Sequence, residues 1–157
     1  MEFVNVWKDV PEELFEQIDE VWRIHGRIEN PEERMRRLGE LVVVAKSGDK
    51  IAGLSTAHRV HVNQLDNWFY SFRCLVVPEF RAPGLDTKLV VLTKQFLENK
   101  FDPGKKDQPI GMIMVIQNEM IKNHWRQAVW PGADMMYIGD STRGEHVRLT
   151  YFKGAKI

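Results

Sequence analysis

Between Trp68 and Phe96 the spacing of apolar residues changes its period, and that change constrains the fold more than any other feature of the chain. Trp68 to Val77 is rich in aromatic and β-branched residues, as a strand requires, and Pro78, which cannot donate to a ladder, stops it. Leu85, Leu89, Leu92 and Phe96 then recur at helical spacing, with Lys88, Lys94 and Glu98 off the stripe, so a helix is expected over 86–99. The junction between them leads from a strand end into a helix start. Such a corner collects amide groups without intrahelical partners at the positive end of the helix dipole, where phosphate binds well. Gly84 lets a ligand approach the backbone and Arg81 adds a cation, although an ordinary turn would use Gly84 for its dihedral freedom alone.

The other elements follow from the same rules. Phe3 to Trp7 alternates like a short strand. Asp9, three residues before Glu12, with Pro11 beside an acidic first turn, marks a helix start, and Leu14, Phe15, Ile18, Val21 and Trp22 share one face of a helix over 11–24. Asn30-Pro31-Glu32-Glu33 opens a second, shorter helix that Gly39 can end. Leu41 to Ala45, the turn Ser47-Gly48-Asp49-Lys50 and Ile51 to Val62 read as a hairpin, followed by a polar connection over Asn63 to Asn67. Ile110 to Ile116 is a continuous apolar run suited to a strand covered on both faces. Met120, Ile121, His124, Trp125 and Ala128 share a helical face until Pro131-Gly132, and two final strands are expected over 134–139 and 146–152. The order is β-α-α-β-β-β-α-β-α-β-β, an α/β fold in the sense of an α+β sandwich, and no linker or repeat divides it, so residues 1–157 are expected to form a single domain.

Composition narrows the function classes. Lys plus Arg and Asp plus Glu each total 22, so the formal net charge is zero and no global attraction to nucleic acid or an anionic membrane is expected. Cys74 is the one cysteine, which excludes an internal disulfide or a thiolate-rich zinc site, and with no apolar leader or span the chain reads as cytoplasmic. His58 and His61 are three apart on a strand and point to opposite faces, which argues against a shared metal and for surface or structural roles. Cys74, mid-strand and without a cationic neighbour in sequence, reads as a small buried apolar residue. Arg34, Arg36 and Arg37 read as a solvated face, and Trp125 and Trp130 as packing rather than a pocket wall.

Leu75, Val77, Pro78, Glu79, Phe80, Arg81 and Gly84 resemble, in register, the strand end and pyrophosphate loop of the GNAT superfamily of acyl-CoA-dependent N-acyltransferases, and the order of elements is similar over nearly the whole chain. The resemblance implies a mixed, mostly antiparallel sheet flanked by helices, with splayed central strands. It implies a pantetheine arm paired with backbone groups at Leu75, Val76 and Val77, and a pyrophosphate held by Arg81, Ala82, Gly84, Leu85, Asp86 and Thr87. Asn118 matches the asparagine that commonly begins the next helix. The activity implied is transfer from acetyl-CoA, or another acyl-CoA, to a primary amine of a small molecule or protein by direct attack on the thioester, with no nucleic-acid or membrane partner and a homodimer left open. The departures are specific. Asp86 puts a carboxylate where phosphate should bind, Pro83 removes an amide donor, and Trp125 stands near the place of a general-acid tyrosine, leaving His124 as the substitute. No carboxylate lies between Trp68 and Val77, so Tyr70, His58 or His61 acting through water are the candidate bases. These departures also admit a catalytically weakened protein that binds acyl-CoA or a partner, and the apolar strands admit a longer acyl chain.

Overall fold

The computed structural model describes residues 1–157. Its elements are β1 (Glu2–Asn5), α1 (Phe15–Ile24), α2 (Pro31–Leu38), β2 (Leu41–Ser47), β3 (Lys50–Val62), β4 (Asn67–Val76), α3 (Leu85–Lys100), β5 (Gly111–Ile116), α4 (Glu119–His124), β6 (Val129–Trp130), β7 (Met135–Asp140) and β8 (His146–Tyr151). The strands form one mixed sheet in the order β1-β2-β3-β4-β5-β8-β7-β6, in which β4 and β5 run parallel and the β1–β2, β2–β3, β5–β8, β6–β7 and β7–β8 pairs are antiparallel. The expected mixed, mostly antiparallel sheet with flanking helices is therefore the observed fold. No helix is long and apolar enough to cross a membrane. Residue contacts group into two compact units, Met1–Ala57 with Arg73–Thr93, and His58–Phe72 with Lys94–Ile157.

In the first unit, Ile18, Val21 and Trp22 of α1 meet Leu41, Val44, Leu54 and Val77 in a core that follows the helical stripe read from the sequence. The start of that helix differs from expectation. Glu12–Leu14 is a 3-10 turn with Pro11 at its cap and no side-chain cap bond, so Asp9 does not cap it. Pro11, with ψ 133, places the chain in extended backbone just before this tight turn. Asn30 does cap α2, its Oδ1 accepting from the Glu32 amide at 2.9 Å. Arg34 is a correction: it is buried, not on a solvated face. Its Nε donates to Asp19 at 2.6 Å and one terminal nitrogen donates to the Ile28 and Glu29 carbonyls at 2.8 and 2.9 Å. The connection from α1 to α2 leaves those carbonyls without helical partners, and Arg34 satisfies them. On α3, Ser55 Oγ and Thr93 Oγ1 pair at 2.8 Å in the interior.

In the second unit, β5 is registered along its whole length on β8, from Gly111 opposite Tyr151 to Ile116 opposite His146. It is not covered on both faces. Met112, Met114 and Ile116 are buried while Val115 is 48% exposed, the alternation of a strand with one dry face. Lys94 is buried rather than off the helical stripe, because Glu98 pairs with it at 3.1 Å and also accepts the Lys153 amide at 2.9 Å. The helix expected to reach Ala128 ends at His124, where Trp125 leaves helical geometry, and the Met120–Ala128 face does not pack. Met120 is 70% exposed. The chain instead enters the short strand β6, which pairs with Met135 and Met136 across the Pro131-Gly132 turn. Arg148, fully buried, holds this segment by donating to the carbonyls of Trp125, Ala128 and Met135 and by lying 4.1 Å from the Trp130 ring centroid.

Gly111 sits where the β5 and β8 backbones approach so closely that a Cβ would collide with the Thr150 carbonyl. Gly111→Ala is expected to destabilise the chain by about 2 kcal/mol or more, read as a lower urea midpoint with unchanged slope.

Candidate functional site

The strand-to-helix junction is built by a short series of backbone bonds in the first unit. The Val77 amide donates to the Ala52 carbonyl at 2.9 Å, and its carbonyl accepts the Phe80 amide at 2.9 Å, which closes a 3-10 turn over Pro78–Phe80. Lys50 and Glu79 pair at 3.2 Å across the same corner. Gly84, at φ 95°, then reverses the chain in a conformation that disfavours any side chain, and Lys88 donates to its carbonyl at 2.9 Å to begin α3. Leu85 and Leu89 anchor the helix in the interior. The result is a corner whose Ala82, Gly84 and Asp86 amides have no hydrogen-bond acceptor in the chain. Arg81 is exposed beside them.

Along an antiparallel ladder a residue turns its N–H and C=O to the same neighbour, and successive residues alternate. Since Val77 bonds β3, Leu75 turns its backbone groups to β3 as well, and Cys74 and Val76 present theirs to the opposite edge. This corrects the expectation for Leu75 and Val77: of the three residues expected to pair with a pantetheine arm, Val76 alone has backbone groups facing away from β3. In the second unit, the ladder of β4 with β5 holds two pairs, Tyr70 with Met112 and Ser71 with Ile113, and beyond Ile113 β5 is registered on β8 alone.

Asp86 is the chemical oddity of the corner. Its Oδ1 accepts from the Thr87 amide at 2.7 Å, so the carboxylate occupies one of the donors that the helix start provides. Cys74 is another correction. Water reaches this residue, whereas the sequence suggested full burial. Desolvation, followed by the Asp86 carboxylate, nonetheless pushes its thiol up to about 12. A thiol held that high is protonated at neutral pH and is no nucleophile.

The remaining candidates lie in the second unit. Tyr70 is half-buried, with Phe152 at 6.4 Å between ring centroids, and desolvation raises its phenol above the ordinary value against the opposing charge of Arg59. A phenol shifted in that direction keeps its proton near neutrality. Asn118 spends its Oδ1 on the amides of Met120 and Ile121 at 2.9 and 3.4 Å, which caps α4. His124 is exposed. Its Nδ1 lies 2.9 Å from the Met120 carbonyl, and since a carbonyl accepts only, that nitrogen carries the proton and Nε2 is left as the lone-pair site of the neutral ring. His61 is a surface residue between Asn63 and Asp66. Arg73, which sequence reasoning passed over, lies on β4 amid the charges of α2. Its position in a strand ending at the junction is the one sequence signal that could have found it.

Alkylation of Cys74 by iodoacetamide is expected to be about a thousandfold slower in the folded chain than in the denatured chain at mildly alkaline pH, and to accelerate as pH rises toward the folded value. Mass spectrometry of timed samples reads this directly.

No protein-family model matches the chain, and no curated protein matches it by sequence. Solved structures do match by architecture. A GNAT-family acetyltransferase from Streptococcus pneumoniae superposes with a TM-score of 0.65 at 8% identity, covering 96% of this chain and 98% of that one. A mosquito arylalkylamine N-acetyltransferase-like protein gives 0.64 at 11% identity, covering 96% and 100%. A GNAT-family acetyltransferase from Brucella melitensis, solved in complex with acetyl-CoA, gives 0.58 at 12% identity, covering 96% and 87%. By the arrangement of its strands and helices, this chain is a protein of the GNAT fold.

Proposed function

We propose that the chain is an acyl-CoA-dependent N-acetyltransferase acting on a primary amine. The observation that carries this reading is the corner ahead of α3, where the amides of Ala82, Gly84 and Asp86 have no partner in the chain and Arg81 stands exposed beside them. A diphosphate suits such a corner because its oxygens need only donors and positive charge. The Brucella relative of the same fold was solved with acetyl-CoA, which supports a thioester of that class as the donor.

Bound acetyl-CoA would supply an activated carbonyl and a thiolate leaving group. The chain's own contribution is position and polarity. Backbone groups of Cys74 and Val76, turned away from β3, would hold the pantetheine arm along β4, and the corner would hold the phosphates. An alkylamine has a reference pKa of about 10.4 and must lose a proton before attacking. With no carboxylate on β4, that proton would pass to solvent, directly or through a neutral imidazole such as His58 or His61. The amine nitrogen then bonds the carbonyl carbon, the carbon–sulfur bond breaks, and a proton reaches the departing sulfur. Tyr70, which stays protonated, is the donor suited to the oxygen or the sulfur, while His124, whose Nδ1 proton is spent on the Met120 carbonyl, would act as an acid only as an imidazolium protonated at Nε2.

Asp86 favours a second reading, a weakened protein that binds acyl-CoA poorly. Its carboxylate already holds the Thr87 amide and would face phosphate as a like charge.

Isothermal titration with acetyl-CoA, followed by thiol release over an amine panel, is expected to show binding and turnover, and absence of binding at millimolar ligand would reject the transferase. Asp86→Gly releases an amide and removes a charge, so acetyl-CoA affinity is expected to rise about tenfold, the equivalent of about 1.4 kcal/mol. An unchanged affinity would mean that no phosphate sits at this corner.

A further inference from the structure

Side chains alternate along β4, and Leu75 and Val77 join the α1 core around Ile18 and Trp22. Arg73 belongs to the same row and is its polar end, with a side chain 40% exposed. It meets the charges that α2 and the turn into β2 bring to that place. Arg37 claims Glu33 at 2.6 Å, and Arg36 lies 3.8 Å from the same carboxylate. Arg36 also takes Glu40 Oε1 at 2.7 Å. What is left to Arg73 is Glu40 Oε2 at 3.9 Å, too far for a hydrogen bond, and one of its terminal nitrogens is buried with no hydrogen-bond partner. The guanidiniums of Arg36, Arg37 and Arg73 thus face the carboxylates of Glu33 and Glu40, and one positive charge is unbalanced.

A half-exposed guanidinium with unspent donors is an unusual thing to leave on a strand. Its planar fork fits a carboxylate better than it fits water, and the neighbouring arginines make an incoming anion more welcome still. Its place also matters. Arg73 precedes Val77 by four residues, about 13 Å along the strand. A pantetheine arm running back along β4 from the corner would therefore bring its reactive end toward Arg73, whose neighbour Cys74 offers backbone groups at the open edge.

We propose that Arg73 binds a carboxylate of the acceptor, so that the preferred substrate is an amine bearing its own carboxylate, such as an amino acid or an acidic peptide. This rests on the acetyl-transfer reading above. The carboxylate takes the solvent-facing donors of the guanidinium and balances the surplus charge, and in doing so holds the acceptor by the end opposite its nucleophile.

The test uses the full chain, acetyl-CoA and matched acceptors: amino acids of several lengths, their carboxamides, and the corresponding amines without the carboxyl group. The expected kcat/KM for the acid exceeds that for its amide by about tenfold or more. Arg73→Met is expected to bring that ratio close to one, mainly through KM, with acetyl-CoA affinity unchanged. Arg73→Lys, which keeps the charge and loses the fork, is expected to retain part of the preference and serves should the methionine variant fold poorly. Equal use of acid and amide by the parent chain, or a preference that survives Arg73→Met, overturns the proposal. A second readout does not depend on turnover. The Arg73 Nε–Hε resonance, assigned by its loss in the variant, is expected to shift saturably on titration with acetate and not with chloride at matched ionic strength. Failure to shift shows an arginine held by Glu40 alone and also overturns the proposal. Failure of acetyl-CoA to bind in calorimetry would sink the transferase reading instead, and the resonance would still decide the carboxylate site.

Discussion

The bond from the Val77 amide to the Ala52 carbonyl decides what the end of β4 can do. It locks the strand to β3 in one register, and the alternation of backbone groups then leaves Cys74 and Val76 facing the other edge. The same residue starts the turn over Pro78–Phe80, so the register of a single strand pair also aims the corner that opens α3. Were the register slipped by one residue, the core side chains and the free backbone groups would exchange places together.

Two buried arginines do comparable work for the loops. Arg34 gathers the Ile28 and Glu29 carbonyls of the connection between α1 and α2, and Arg148 gathers the Trp125 carbonyl just past α4 together with that of Met135 at the start of β7. Arg34 has Asp19 to offset its charge. Arg148 is held by carbonyl dipoles and the face of Trp130, and desolvation lowers its pKa while Tyr137 opposes the shift, although a guanidinium remains charged throughout the ordinary range. Arg148 also keeps one buried donor, Nε, without a partner, but Arg73 differs from both in that no acceptor in the chain takes a hydrogen bond from it and its side chain reaches solvent. That contrast between guanidiniums spent on backbone carbonyls and one left facing solvent separates a structural residue from a candidate binding residue.

The corner itself carries opposing tendencies. The unpartnered amides and Arg81 suit an anion, while Asp86 occupies the Thr87 amide with a carboxylate of the chain's own. A helix start with an acidic residue in its first turn is stabilised by that residue. Stability of α3 and affinity for a diphosphate are therefore in competition at one position, and Asp86 sets the balance.

Local patterns were enough to read the hairpin of β2 and β3, the Asn30 cap, the period change into α3 and the glycine turn before it, since each depends on neighbours within a few residues. They were not enough where a side chain's surroundings come from distant segments. Lys94 lay off the apolar stripe, and nothing nearby in sequence announces Glu98's bond to the Lys153 amide, while Arg34 looked solvated because Asp19 and the Ile28 carbonyl belong to another turn of chain. The early end of α4 and the strand β6 depend on Arg148, which lies far downstream. Sequence by itself determined the element order and the chemistry available at the strand-to-helix junction, because period, proline and glycine act locally. Tertiary structure alone decided which amides stay unpaired, which arginine is left facing solvent without a hydrogen bond to the chain and which edge of β4 is open, because hydrogen bonds and burial are settled only when remote segments meet.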